Sequence, residues 1–325
     1  MLPGLLVSAA AIFVLSRFVD MGELQHAFSL ADFRWIPLVI LPFLGTVLAR
    51  SKAWQTLLED EVRFSDAFLS LNQGYLLNNI LPFRLGELGR ALILGERSGL
   101  SFWRVLSTIV VERVFDLGFA ALLIVVSLPF VLDVDWVQSA SSVALVVVLF
   151  GFSVLVLFAR KPSLVEALLK RLTGPWPKLQ AWGLSKLSAF IDGLISLRSG
   201  KRFGLVAFWL ALAWAFNVGW YLVLQLAFFS EMNVIWAAMA IGAGSLGIAV
   251  PSSPAYIGVL EGTVVAAFSL FGVDPAISLA YAIVAHALYF VVTGLLGAFG
   301  FSQQGRSLGR IYHRLLKRRS NPINE

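Results

Sequence analysis

Long apolar stretches recur from one end of this chain to the other, and few folds can accommodate them. Of its 325 residues, 58% are apolar and 14% are charged, whereas about a quarter of residues are charged in soluble proteins. A helix needs about 20 apolar residues to cross a bilayer. We therefore predict an all-α polytopic membrane protein with about seven to nine membrane helical segments. The apolar segments run over about 2–16, 35–49, 68–81, 105–132, 143–159, 203–229, 234–250, 256–271 and 276–301.

Several functional classes have no support in the sequence. The chain has no cysteine, which excludes disulfides and thiolate chemistry. His26, His286 and His313 are far apart, no metal-ligand or nucleophile motif occurs, and we predict no metal and no cofactor. The net charge is +6, but the basic residues flank apolar segments, so we expect no nucleic acid partner. The GxGxxG pattern at 242–247 lies inside an apolar segment, which favours close helix packing over dinucleotide binding.

Lysine and arginine predict the orientation, because cytoplasmic loops carry the excess of these residues. Two stretches are rich in both residues, a linker at 160–202 and a tail at 302–325. We expect both to face the cytoplasm, with the protein in the cell (inner) membrane. The chain then forms a single membrane domain, 1–325, with a first half at 1–159 and a second half at 203–301.

Two further segments are interpreted from their patterns. The linker has apolar residues at helical spacing, typical either of amphipathic helices on the membrane surface or of a solvated connector. The apolar N-terminus lacks a preceding basic region and a cleavage site, so we predict a retained first helix.

The first polar motif interrupts the third apolar segment, with the sequence NILPFRLGELGR at 79–90. The segment breaks at Pro82 and resumes as a helix. Arg84, Glu87 and Arg90 are three residues apart, so they can converge on one cavity or one partner. We predict that the segment enters from the cytoplasm, turns and returns. The candidate binding residues are Asn79, Arg84, Glu87 and Arg90.

A second cluster of charges, Glu112, Arg113 and Asp116, lies near the start of the next apolar segment. An ionised group at mid-membrane costs roughly 2.5–3.5 kcal/mol, so such residues pair, face a wet cavity or serve a pathway. The alternative is an internal salt-bridge network that only holds helices together.

A third motif, PSSPAYIGVLE at 251–261, again breaks an apolar segment and resumes it with glycine and glutamate. Its flanks carry no lysine or arginine, so this hairpin is expected to enter from outside and meet the first hairpin tip to tip. Paired breaks in two halves are typical of inverted-repeat transporters. The structural breaks are Pro82, Gly86, Pro251, Pro254 and Gly258. The added candidate binding residues are Ser253, Glu261 and His286, the last interpreted either as a packing residue or as a proton carrier.

Arginine suits a phosphate group, because its planar fork forms bidentate hydrogen bonds. We therefore expect an anionic lipid headgroup bound by Arg84, Arg90 and Arg113, with Glu87 and Glu261 orienting the arginines or meeting a cationic group. The predicted function is a transporter, not an enzyme, that moves an anionic or zwitterionic lipid. The alternatives are an enzyme that uses Glu87, Glu112 or Asp116 on lipid phosphates, or a noncatalytic partner of a lipid or glycan biosynthetic enzyme. A homo-oligomer is also open.

These motifs resemble the lysylphosphatidylglycerol synthase transmembrane region family, also called flippase-like or UPF0104 proteins, over essentially the whole chain. The resemblance implies a lipid-flipping or lipid-binding domain, with relatives that handle aminoacylated phospholipids or polyprenyl-linked glycans. The multiple peptide resistance factor joins a similar region to an aminoacyl-transfer domain. This chain ends at Glu325, so we expect it not to be a synthase. Ala255 and Tyr256 stand where the family commonly has glycines, and His286 stands near a common arginine.

Overall fold

A computed structural model describes residues 2–81, 84–131, 160–174, 190–194, 198–249 and 253–303, with a few positions between 146 and 187. Over these residues the chain forms helices and turns and no strands. The predicted all-α fold is therefore confirmed for the part of the chain that is described. More than half of the predicted segment at 143–159 and nearly all of the basic tail lie outside the described residues.

The helices are numbered here in chain order, and short 3-10 turns join some of them. The helices are α1 Leu2–Phe18, α2 Met21–Leu30, α3 Ile36–Leu57, α4 Phe64–Ile80, α5 Leu85–Ser98, α6 Phe102–Ser127, α7 Pro162–Thr173, α8 Gly200–Gln225, α9 Val234–Gly247, α10 Val259–Ser269 and α11 Pro275–Gln303. The 3-10 turns are Phe33–Trp35, Leu128–Phe130 and Pro254–Tyr256.

Three stretches of the described chain are long and apolar enough to cross a membrane, namely Phe33–Leu57, Gly200–Gln225 and Pro275–Gln303. They correspond to α3 with its preceding turn, α8 and α11. Helix α6 has a similar length of 26 residues but carries the charged cluster. The linker contains α7, on which Leu164 and Leu168 are both exposed.

Polar residues at the helix starts explain several boundaries. The Asp20 carboxylate accepts hydrogen bonds from the backbone N–H groups of Gly22 and Glu23 at the start of α2. The Asn233 side chain accepts from the N–H groups of two residues in α9. These contacts satisfy N–H groups that have no partner within the helix. Helix α2 was missing from the predicted segments, because its polar composition lacks a membrane signal.

The turn between α3 and α4 is tied to the start of α6. Glu61 accepts hydrogen bonds from two guanidinium nitrogens of Arg104, at 2.9 and 2.6 Å. The bound guanidinium holds the pKa of the Glu61 carboxyl below its ordinary value.

Two helical hairpins flank the interior. Helices α4 and α5 pack against each other so closely that a methyl group on Gly86 would overlap the carbonyl oxygen of Gly74. Helices α9 and α10 form the second pair, in which Gly247 lies against Thr263. The chain between α4 and α5, and between α9 and α10, corresponds to the two predicted breaks. Pro82 and Pro251 lie outside the described residues.

Around these hairpins, the long helices build the core. Helix α3 packs along α8, where Gly45 lies against the ring of Phe216, and α11 packs along α4. In the α4–α11 contact, Gly300 lies against Gln73. Small residues at such contacts let helices approach closely, as membrane helices commonly do.

Candidate functional site

A network of ion pairs lies in the interior, centred on the carboxylates of α6. Glu112, which is 1% exposed, accepts hydrogen bonds from Arg50 Nη1 at 3.1 Å and from Arg90 Nη2 at 2.9 Å. Helices α3 and α5 therefore each bring a guanidinium to the same carboxylate of α6. Because a buried charge left without its partner is strongly destabilising, these pairs link the three helices.

Asp116, one turn further along α6, completes the network. Its Oδ1 accepts from Arg50 Nη2 at 2.6 Å and from Trp214 Nε1 of α8 at 3.0 Å. Arg113 Nη2 lies 3.0 Å from its Oδ2. Four helices thus meet at two carboxylates.

The remaining charges of the site are looser. Glu87 Oε1 lies 3.2 Å from Arg84 Nε and 3.6 Å from Arg113 Nε. Arg84 precedes α5 with a positive φ of 54°. Residues other than glycine rarely adopt this backbone conformation. The direction of the Arg84 side chain is therefore set by the break in the helix.

These charged side chains border a cavity of about 140 Å³. A single water needs about 10–15 Å³ when volume is counted as the space open to the centre of a water-sized sphere. The cavity therefore has room for a small polar group. Arg84, Glu87, Arg90 and Arg113 all line it. Further polar lining comes from Thr46, Arg50, Asn78, Asn217, Ser245 and His286, and aromatic lining from Phe43, Tyr75, Trp220, Tyr221, Tyr256 and Tyr289.

Arg90 has hydrogen-bonding capacity that its neighbours do not use. The residue is 2% exposed, and one nitrogen, Nη2, binds Glu112. Its Nε and Nη1 have no hydrogen-bond partner among the described residues. The guanidinium carbon also lies 4.8 Å from the centre of the Trp54 ring, a favourable cation–π distance. A buried guanidinium with two unused donors at a cavity wall is suited to hold an anion.

The charges of this site do not cancel. Four guanidinium groups, those of Arg50, Arg84, Arg90 and Arg113, face three carboxylates, those of Glu87, Glu112 and Asp116. The cluster therefore carries one excess positive charge. All three carboxylates already have arginine partners, so the unsatisfied charge is cationic.

The second break contributes a separate buried pair. Glu261 of α10 places Oε1 at 2.6 Å from Nδ1 of His286 on α11, while its Oε2 accepts from the N–H of Gly258 at 2.7 Å. Gly258 has a φ of 84°, which favours glycine. His286 lines the cavity, and Glu261 lies behind it.

Ala255 and Tyr256 also adopt positive φ values, 57° and 63°. The resemblance placed glycines at these positions, and the backbone shows why glycine suits them. The chain nevertheless makes the turn with two side chains, and one of them, Tyr256, lines the cavity.

The structure gathers part of the predicted site around one space. Arg84, Glu87, Arg90, Arg113 and His286 line the cavity. The other predicted binding residues are placed elsewhere: Glu112 and Asp116 hold the guanidinium groups, Asn79 donates to Thr293 Oγ1, Ser253 contacts Ser8 Oγ, and Glu261 supports His286.

Sequence reasoning missed Arg50, Asn78 and the tyrosines of the cavity wall. Arg50 was overlooked because the second apolar segment was expected to end at 49, whereas α3 continues to Leu57. Asn78 accepts a hydrogen bond from the N–H of Gly86 at 2.8 Å and so bridges the first break. The double asparagine before the break was the available signal for that contact.

The fold and the charged cavity define a multi-pass α-helical membrane protein with a polar site buried among its helices. The lysylphosphatidylglycerol synthase transmembrane region family matches residues 1–297, and the chain belongs to this family. A relative from Methanothermobacter thermautotrophicus, described as a UPF0104 membrane protein, is 22% identical over 93% of both chains.

Proposed function

We propose that this protein is a flippase-like transporter that binds the phosphate of an anionic lipid headgroup in the cavity and passes it between leaflets. The observation that carries the proposal is Arg90, which has two unused donors at the cavity wall and belongs to an arginine cluster with one excess positive charge. Its family consists of membrane domains of the lysylphosphatidylglycerol synthase type, which are commonly flippase-like.

A phosphate group would pair the unused donors of Arg90. Leaving a buried donor unpaired costs about 1–3 kcal/mol, and more when the group is charged. Phosphate oxygens that accept from Arg90 Nη1 or Nε recover this free energy through charge-assisted hydrogen bonds. The tyrosine and asparagine side chains of the wall offer further hydrogen bonds to hydroxyl groups of a headgroup.

The charge distribution favours an anionic headgroup over a zwitterionic one. Each carboxylate of the site is engaged: Glu87 with Arg84, Glu112 with Arg90, and Asp116 with Arg50. None remains to meet an ammonium group.

Helix lengths support re-entrant hairpins in two inverted halves. At about 1.5 Å per residue, the 14 residues of α5, the 14 of α9 and the 11 of α10 reach well short of the roughly 30 Å hydrocarbon core. Non-helical backbone inside a membrane is tolerated where it lines a cavity. In the proposed topology both breaks lie near mid-membrane, and the linker and tail face the cytoplasm.

The test is a headgroup translocation assay in liposomes. Purified protein is reconstituted with fluorescently tagged phosphatidylglycerol, and the accessibility of the tag to a membrane-impermeant quencher reports movement between leaflets. We expect wild-type protein to accelerate movement and Arg90→Gln to abolish it. Arg34→Gln is the matched control, because Arg34 is an exposed arginine paired with Asp32.

Thermal unfolding must show that Arg90→Gln is folded. Equal movement of the lipid in wild type and folded Arg90→Gln would refute the proposed site. If tagged phosphatidylcholine moved equally fast in the wild type, the preference for an anionic headgroup would be wrong.

A further inference from the structure

The Glu261–His286 pair is a second titratable element at the cavity. Both Glu261 oxygens are occupied, one by the Gly258 N–H and one by His286 Nδ1. One proton is therefore shared between Oε1 and Nδ1, and the Nε2 of His286 is the position where a further proton binds. Glu261 and His286 are 8% and 7% exposed, and His286 contacts the cavity.

Several titratable and charged groups lie near His286, so its charge affects the electrostatics of the cavity. Helix α11 packs against α4, α10, α2 and α8. The titratable groups on these helices that adjoin the pair or the cavity are Glu261 itself on α10, Tyr75 on α4 and Tyr221 on α8, with Tyr289 on α11 and Tyr256 in the second break. On α2, Glu23 and His26 are exposed. Across the cavity stand the four arginines and three carboxylates of the ion-pair network.

We propose that His286 is the binding site of a coupling proton, so that the protein moves an anionic lipid headgroup together with a proton. This inference rests on the proposed function. With a neutral imidazole, the pair carries one negative charge and offsets the excess positive charge of the arginine cluster. A proton from water on Nε2 makes the pair neutral, and the cavity then presents one net positive charge to a phosphate.

The coupling follows from electrostatics alone. A protonated His286 favours the bound anion, and by linkage the bound anion favours the proton to the same extent. Histidine is the side chain that commonly changes charge between about pH 5 and 8. With both ligands bound, the site has no net charge, which lowers the energetic barrier to crossing the membrane interior.

The pair is also connected to the backbone of the second break. Glu261 Oε2 binds the N–H of Gly258, and a methyl group on Gly258 would contact Ile12 Cγ1 of α1 at 2.8 Å. A proton on His286 strengthens its hydrogen bond to the Glu261 carboxylate, so the backbone cap stays in place while the net charge of the cavity rises by one.

The test measures lipid binding and proton uptake by the wild-type protein in detergent. Phosphatidylglycerol is titrated at several pH values, and a pH indicator in weak buffer reports protons taken up on binding. We expect affinity to rise roughly tenfold as the pH falls through the histidine range, the size typical of coupled sites, with about one proton taken up per lipid.

Three variants test whether the proton binds at His286. His286→Gln should bind phosphatidylglycerol weakly at every pH, and His286→Arg should bind it tightly at every pH because its charge is permanent. His26→Gln, at an exposed position, should bind the lipid as the wild type does. Proton uptake by the wild type needs no variant, so a misfolded His286→Gln does not weaken the test.

The failures of the two proposals differ. Tight binding of phosphatidylglycerol by wild type without pH dependence or proton uptake would overturn the proton site and leave the lipid site standing. A pH dependence retained in His286→Gln and His286→Arg would also overturn it. No binding at any pH would overturn both proposals.

Discussion

Arg84 and Tyr256 lie beside each other at the cavity, and both have positive φ values, 54° and 63°. One residue ends the break between α4 and α5, and the other ends the short turn before α10. Arg84 and Tyr256 are 172 positions apart in the sequence. The two interruptions of regular helix therefore meet at one cavity. Each break presents a cavity-lining side chain that continuous helix would direct elsewhere.

The left-handed conformation of Ala255 predicts a selective sensitivity to β-branched residues. Ala255→Val should lower the free energy of unfolding by about 1–2 kcal/mol, because the branched side chain meets the adjacent carbonyl in this conformation. Ala266→Val, at an exposed helical position of α10, is the matched control and should change little. Thermal unfolding in detergent measures both, and equal midpoints for the two variants would contradict the assigned conformation.

Gly86 predicts a steric test of the first hairpin. Gly86→Ala places a methyl group against the Gly74 carbonyl oxygen and 2.5 Å from Asn78 Oδ1, so α4 and α5 must separate. We expect a lower unfolding temperature and weaker lipid binding. Gly262→Ala, whose methyl group meets nothing within 4 Å, should be neutral or stabilising, since alanine favours helix by about 1 kcal/mol. A harmless Gly86→Ala would show that the hairpin is more open.

The ion-pair network predicts non-additive mutations at Arg50 and Asp116. Arg50→Met should destabilise by about 3–5 kcal/mol, because it leaves buried carboxylates with fewer partners. Adding Asp116→Asn should restore part of that loss, since it removes one of the unpaired charges. A double-mutant cycle of unfolding free energies measures the coupling, and additive effects would exclude the direct pair at 2.6 Å.

Arg90 predicts that charge alone is insufficient for lipid binding. Arg90→Lys keeps the positive charge but loses the planar fork, so it should bind phosphatidylglycerol about tenfold more weakly than wild type. Lys52→Arg, at a partly exposed position, provides a matched exchange outside the cavity and should leave binding unchanged. Equal affinity of Arg90→Lys and wild type would indicate that the phosphate needs only a positive charge at this position.

The helical class and the membrane setting could be predicted because both depend on local sequence. Apolar runs of sufficient length must satisfy their backbone hydrogen bonds internally in lipid, and helices do so without reference to distant residues. Helical spacing also places Glu87 and Arg90 of α5 on one side of that helix, whereas Arg84 precedes the helix and its direction depends on the break. Local sequence predicts helix ends less well. Because α3 continues past Ala49, Arg50 lies inside this helix and not in the predicted connection.

Which side chains meet depends on contacts between residues far apart in the chain. Arg50 and Glu112 are 62 positions apart, and Asn79 and Thr293 are 214 apart. No periodicity encodes that Asn79 turns toward α11 rather than the cavity, or that Glu87 and Glu261 are already paired. The sequence was sufficient to predict the helices and several of the charged residues that border the cavity. Packing of helices around the network established which donors remain unused, because burial and pairing are properties of the assembled core.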